Sequence, residues 1–111
     1  MPPSILVTSR VPSSVLTRLK TVGQVELVTD HLTPAALQER VSGKRALVCV
    51  TTDRIDSAVI NAGCDLEIIA NIAVGYDNID VSYAESRGVV VSNTPDVLTE
   101  AVAELTWGLI L

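Results

Sequence analysis

Short apolar runs alternate with helix-like segments closed by glycine, and that rhythm leaves few folds open to this chain. Gly23, Gly43 and Gly63 stand 20 residues apart. Each closes one unit: an aliphatic run, a connecting turn, then a stretch with helical spacing. Strands are expected over residues 5–7, 25–28, 46–50, 67–71 and 89–92. Between them lie helix-start and helix-stop signals. Thr33 precedes Pro34, which suits the first helical position, and Gly43 ends that segment. Asp56 opens a segment that closes at Gly63, and Asp80 opens one that closes at Gly88. Pro12 sits near the first turn of the first helix. The units share a pattern but not residues, so this is a repeated β-α unit and not a sequence repeat.

Strands alternating with helices require right-handed crossovers and a parallel sheet. The fold class is therefore α/β: a flavodoxin-like five-stranded parallel sheet of order 2-1-3-4-5, with helices on both faces. The dinucleotide-type order 3-2-1-4-5 competes, and local pattern separates the two poorly. Composition agrees with a doubly covered sheet, since 48% of residues are hydrophobic while the 111-residue chain has no Phe and one Trp. Residues 1–98 form the expected domain. Residues 99–111 read as the start of a further helix, apolar nearly all round, which suits an interior position. The expectation is that the chain was cut from a longer one, this segment being a connecting helix. The alternatives are that it packs back on its own sheet as a fifth helix, or that its apolar face drives dimers.

Several functions are disfavoured. The net charge of −5 comes without a basic cluster, which argues against nucleic acid and anionic membrane as partners. No run is long enough for a signal peptide or a membrane span, so a cytoplasmic setting is the default. Cys49 and Cys64 read as reduced thiols, Cys49 within a core strand. No two glycines lie within ten residues, so neither G-x-G-x-x-G nor a P-loop occurs. The first turn, residues 8–14, lacks the glycine of a flavin phosphate loop and the acidic residues of a phospho-receiver. His31 is the one histidine, read as a loop residue, and no metal-ligand cluster is visible. Asp53, Asp56, Asp77 and Asp80 read as turn or cap residues.

One stretch remains. The apolar run at residues 68–70 leads into Val74–Gly75–Tyr76, ahead of the Asp80 cap. Backbone N–H groups beside a glycine at the carboxyl end of a parallel sheet can hold a small anion. The competing reading is a plain strand-to-helix turn in which Gly75 only permits positive φ.

The run NIAVGYDNIDVSYAESRGVVVSNTPDVLTEAVAEL closely resembles the D-isomer-specific 2-hydroxyacid dehydrogenases, in particular their glyoxylate/hydroxypyruvate reductase branch. VCVTTDRIDSAVINAG fits the same branch. The likeness is specific over residues 45–111 and topological over 1–44. It implies a substrate-binding domain paired with a Rossmann domain for NAD or NADP. It further implies that Val74 and Gly75 bind the substrate carboxylate, that Val50 and Thr51 border the same cleft, and that Thr99 lies near the nicotinamide. The family's catalytic Arg, acidic residue and His, and its glycine-rich loop, have no counterpart here. Catalytic residues and bound metal are therefore expected to be none, and NAD(P) is expected only in a full-length parent. That parent would be a cytoplasmic oxidoreductase, homodimeric, acting on a small 2-oxo or 2-hydroxy acid. This chain would be an inactive fragment, with the remaining C-terminal portion of the parent as its partner. A free-standing, non-catalytic binding or assembly module is the alternative.

Overall fold

The computed structural model describes residues 4–8, 13–28, 32–50, 53–72 and 75–93. Among them run β1 (Ser4–Val7), α1 (Ser13–Val22), β2 (Gln24–Leu27), α2 (Pro34–Val41) and β3 (Ala46–Val50). Then follow α3 (Ser57–Ala62), β4 (Ile68–Ile72), α4 (Val81–Ser86) and β5 (Val90–Asn93). The five strands form one parallel sheet of order β2-β1-β3-β4-β5. The expected order 2-1-3-4-5 is therefore the observed one, and 3-2-1-4-5 is excluded.

The helix boundaries follow from side-chain caps. The Thr33 hydroxyl accepts from the Ala36 N–H at 3.2 Å, with Pro34 opening α2. Asp56 accepts from Val59 N at 3.1 Å, and Asp80 from Tyr83 N at 3.1 Å. Each cap satisfies a donor with no partner inside its helix. Gly43 and Gly88 adopt φ of +80° and +77° just beyond α2 and α4, where a side chain would be strained. Strands β2, β4 and β5 each sit one residue away from the expected spans. Ladder ends are set by the neighbouring strand's hydrogen bonds, which local hydropathy does not contain.

Both sheet faces are buried, and alternation sorts the residues between them. On one face Leu6, Leu47, Cys49 and Ile69 pack with Leu37 and Val41 of α2, Val59 and Ile60 of α3, and Ala84 of α4. On the other, Ile5, Val7, Ala46, Val48, Ile68 and Ala70 share a cluster with Leu19 of α1. Helices thus lie on both faces. Each buried Leu or Ile contributes about 1.5–3 kcal/mol relative to exposure. Ion pairs tie the periphery: Glu26 of β2 meets Arg40 at 3.0 Å and Lys44 at 3.3 Å, and Arg45 pairs with Glu67 at the amino edge. The expected helix over 99–111 and the split at residue 98 lie outside the described residues.

Candidate functional site at the carboxyl edge of the sheet

Strands β1, β3 and β4 end side by side, and the chain leaves each at the same edge of the sheet. Two segments that follow are joined by an isolated parallel bridge between Ile55 and Ile79. Ile55 N donates to Asn78 O at 2.7 Å, and Asp80 N donates to Ile55 O at 2.9 Å. Both isoleucines are buried. The bridge thus ties Ile55 to residues 78–80.

A polar network lies beneath this bridge. Asn71 is fully buried near the end of β4, in a strand otherwise made of Ile and Ala. Its Nδ2 donates to Gly75 O at 2.9 Å and to Asn78 Oδ1 at 2.9 Å. The Asn78 Nδ2 group returns a bond to Asn71 Oδ1 at 3.1 Å. Its two hydrogens also serve Val50 O at 3.0 Å and Asp53 O at 2.9 Å, so one of them is shared between two acceptors. The two amides form a reciprocal pair in which each gives and accepts a hydrogen bond. The Cys49 thiol donates to Asn71 Oδ1 at 3.5 Å. Burial pushes that thiol well above its ordinary range, and the Asp53 charge adds to the shift, so Cys49 stays protonated.

Asp53 extends the network to β1. Its Oδ2 accepts from Val50 N at 3.1 Å and from the Thr8 hydroxyl. Thr8 and Asp53 are both buried. A continuous hydrogen-bonded chain thus crosses the carboxyl edge from Thr8 through Asp53, Asn78 and Asn71 to Gly75. No buried side-chain nitrogen or oxygen among the described residues lacks a partner. That completeness is what makes a buried polar network tolerable.

The expected site residues divide as follows. Gly75 lies exposed at this edge. Its φ is not in the left-handed region, and a Cβ built on it meets no heavy atom within 4 Å. The positive-φ explanation for this glycine is therefore excluded, and crowding among the described residues does not explain it either. Val50 sits at the end of β3 with both backbone polar groups engaged: its N–H by Asp53, and its carbonyl by Asp53 N at 3.0 Å and Asn78. Thr51, Val74 and Thr99 lie outside the described residues, as does His31. Cys49 is buried and Cys64 exposed, both free. Asp56 and Asp80 are caps as expected. A shallow hollow of about 260 Å³ on the outer side of the bridge is lined by Arg54, Asp56, Asp77 and Asp80. Three carboxylates against one guanidinium make it a poor place for an acid. No group of three or more potential metal ligands occurs among the described residues. Nor is any described helix long and apolar enough to cross a membrane.

The sequence reading missed Asn71 and Asn78. One signal could have found the first: an asparagine at the fourth place of the run IIANI, inside a strand covered on both faces, must find partners or destabilise the fold. Nothing local identified Asn78 as the partner.

A model of the D-isomer specific 2-hydroxyacid dehydrogenase catalytic domain matches residues 5–108. This chain belongs to that family. The glyoxylate reductase of Thermococcus onnurineus is 42% identical over 113 residues, covering 100% of this chain and 34% of its own length. A solved protein of Thermus thermophilus superposes with a TM-score of 0.78 at 41% identity, covering 97% of this chain and 35% of that one. The NADPH-dependent glyoxylate/hydroxypyruvate reductase of Sinorhizobium meliloti, solved with NADP and malonate, gives 0.65 at 35% identity, covering 100% and 34%. The chain thus spans about a third of the length of the curated relatives it matches. The five-stranded 2-1-3-4-5 sheet is accordingly that of a D-2-hydroxyacid dehydrogenase.

Proposed function

We propose that this chain is the substrate-binding part of an NAD(P)H-dependent reductase of small 2-oxo acids, glyoxylate or hydroxypyruvate. Backbone N–H groups of Val74 and Gly75 grip the substrate carboxylate. Thr51 and the half-buried side chain of Val50 border the same cleft. Val50 serves as a wall and not as a donor, since its own N–H is engaged by Asp53. Thr99 stands near the nicotinamide. The observation that carries this reading is Gly75: exposed, outside the left-handed region, with open space where a side chain would stand. A glycine that neither its conformation nor packing among the described residues requires leaves its bareness to serve an approaching group. Hydrogen bonds from backbone amides to a carboxylate are charge-assisted, and so hold a small acid without a cation.

The residues here do not fit a dinucleotide. The sequence has no G-x-G-x-x-G loop, and a pyrophosphate needs bare backbone at a helix N-terminus. In this reading the nicotinamide and the proton donor are supplied by the rest of a longer, cytoplasmic, homodimeric enzyme, of which this chain spans about a third. This chain alone binds and orients the acid without turning it over. The test is glyoxylate-dependent oxidation of NADH and NADPH, followed at 340 nm, for this chain and for the whole reading frame that contains it. Turnover is expected from the second and none from the first. Turnover by the chain alone would show that the machinery is assigned to the wrong place. Absence of activity with any 2-oxo acid in the second would refute the function itself.

A further inference from the structure

We propose that Asn71 and Asn78 are a positioning pair for the substrate carboxylate. Their locked amides set where the Gly75 backbone stands relative to the end of β3, and so how tightly the acid is held. The inference rests on the reading of Gly75 as a carboxylate site.

The pair touches both walls of the proposed cleft. Asn71 Nδ2 holds the Gly75 carbonyl at 2.9 Å, while Asn78 Nδ2 holds the Val50 carbonyl at 3.0 Å and the Asp53 carbonyl at 2.9 Å. The two side chains join through their reciprocal bonds of 2.9 and 3.1 Å. The Gly75 backbone is thereby tied to the β3 end through two side-chain amides. Orientation is fixed as well as distance. Turning the Asn71 amide over would set its oxygen against the Gly75 carbonyl. Turning the Asn78 amide over would set its oxygen against those of Val50 and Asp53. Each amide therefore has one favourable orientation.

Stability alone does not call for this arrangement. Asn71 is fully buried and lies two residues beyond Ile69 on the same face, above the apolar cluster that includes Cys49, Leu47 and Val59. An aliphatic side chain of similar volume would fill such a place, and replacing a buried polar pair by apolar groups is often neutral or stabilising. What an aliphatic pair could not do is fix the Gly75 carbonyl in direction. The peptide plane carrying that carbonyl joins Gly75 to Tyr76, and the proposed donor, the Gly75 N–H, lies on the other side of the same Cα. A carbonyl released from Asn71 lets the Gly75 φ and ψ relax, and the Gly75 N–H then shifts relative to the acid. Asn71 and Asn78 need not touch the substrate to govern its affinity.

The experiment uses the whole enzyme that contains this chain. Asn71→Ala, Asn78→Ala and the double variant are compared with Leu19→Ala, which destabilises the opposite face of the sheet without touching the network. All are assayed well below their unfolding temperatures, with folding verified by circular dichroism. KM for glyoxylate should rise roughly ten- to a hundred-fold in each asparagine variant, since misplacing binding groups by about 1 Å carries penalties of that order. KM for NAD(P)H should stay unchanged. The double variant should be no worse than the poorer single one, because both residues act through the same loop. Leu19→Ala should leave both KM values alone. An unchanged glyoxylate KM in folded asparagine variants would overturn the proposal, as would an equal rise in Leu19→Ala. Amide hydrogen exchange gives a readout that needs no activity. It should quicken over peptide 71–79 more than over 46–50 in the asparagine variants, and a uniform rise would count against the pair. If the unmodified enzyme reduces no 2-oxo acid, the function reading fails, and the exchange result still decides whether the pair positions the loop.

Discussion

Replacing Gly75 by alanine should push stability and substrate affinity in opposite directions. At this position the backbone is outside the left-handed region and the added methyl meets nothing within 4 Å among the described residues. The native state therefore gains no strain and no clash. The unfolded chain loses some of glycine's freedom, which at a compatible site stabilises a protein by about 0.4–1 kcal/mol. Binding works the other way. A carboxylate oxygen accepting from the Gly75 N–H must come to about 2.9 Å, and the new methyl stands on the adjoining atom, in the open space beside that path. Losing one hydrogen bond to a charged group costs roughly 1.5–3 kcal/mol. At about 1.4 kcal/mol per tenfold, KM for glyoxylate should rise by about one to two orders of magnitude. The assay pairs urea denaturation, for the stability change, with initial rates over a glyoxylate series at saturating NAD(P)H. Gly75→Val should raise KM further while costing some stability through its stiffer backbone preference. A variant with unaltered KM and raised stability would refute the carboxylate site. One that loses stability and affinity together would show that Gly75 is needed for the fold.

The remaining predictions concern the scaffold. Gly63→Ala should destabilise by about 1–3 kcal/mol through overpacking, because its Cβ would lie 2.6 Å from Leu66 Cδ1 and 3.1 Å from Val41 Cγ2; a urea midpoint equal to that of the unmodified protein would contradict this. Glu26 lies on the other edge of the sheet. Desolvation raises its pKa, but hydrogen bonds from Arg40 and Lys44 outweigh it, leaving the carboxyl below its ordinary 4.5. A depressed folded value stabilises above the unfolded pKa, and that contribution disappears as pH falls through the folded one. Glu26→Gln should therefore flatten the acid limb of the stability curve below about pH 5 by less than about 1 kcal/mol, the pair being solvent-screened; added salt should shrink the difference. Finally, a thiol reagent mapped by mass spectrometry should label exposed Cys64 in the folded protein and reach Cys49 only on unfolding, since Cys49 is buried and its thiol is held protonated.

Much of this molecule was legible from local pattern. Thr33, Asp56 and Asp80 cap the helices they were expected to cap, because capping is a contact across three residues and needs no tertiary partner. The glycines after α2 and α4 were readable for the same reason. Strand existence and parallel pairing followed from apolar runs separated by helical spans. The sites were legible only in part. Gly75 stands out from its place after an apolar strand, but the conformational explanation for it could not be dismissed without its φ angle.

Local sequence sufficed to say which segments become strands and helices, where the helices stop, and that the sheet is parallel, because those choices rest on neighbours within a few residues. Strand order, the backbone conformation of Gly75 and the partnership of Asn71 with Asn78 came from the assembled fold. Asn71 joins Gly75 four residues away and Asn78 joins Val50 across 28. No local propensity encodes the second contact. It exists because β3 and β4 lie side by side and deliver their ends to one edge of the sheet.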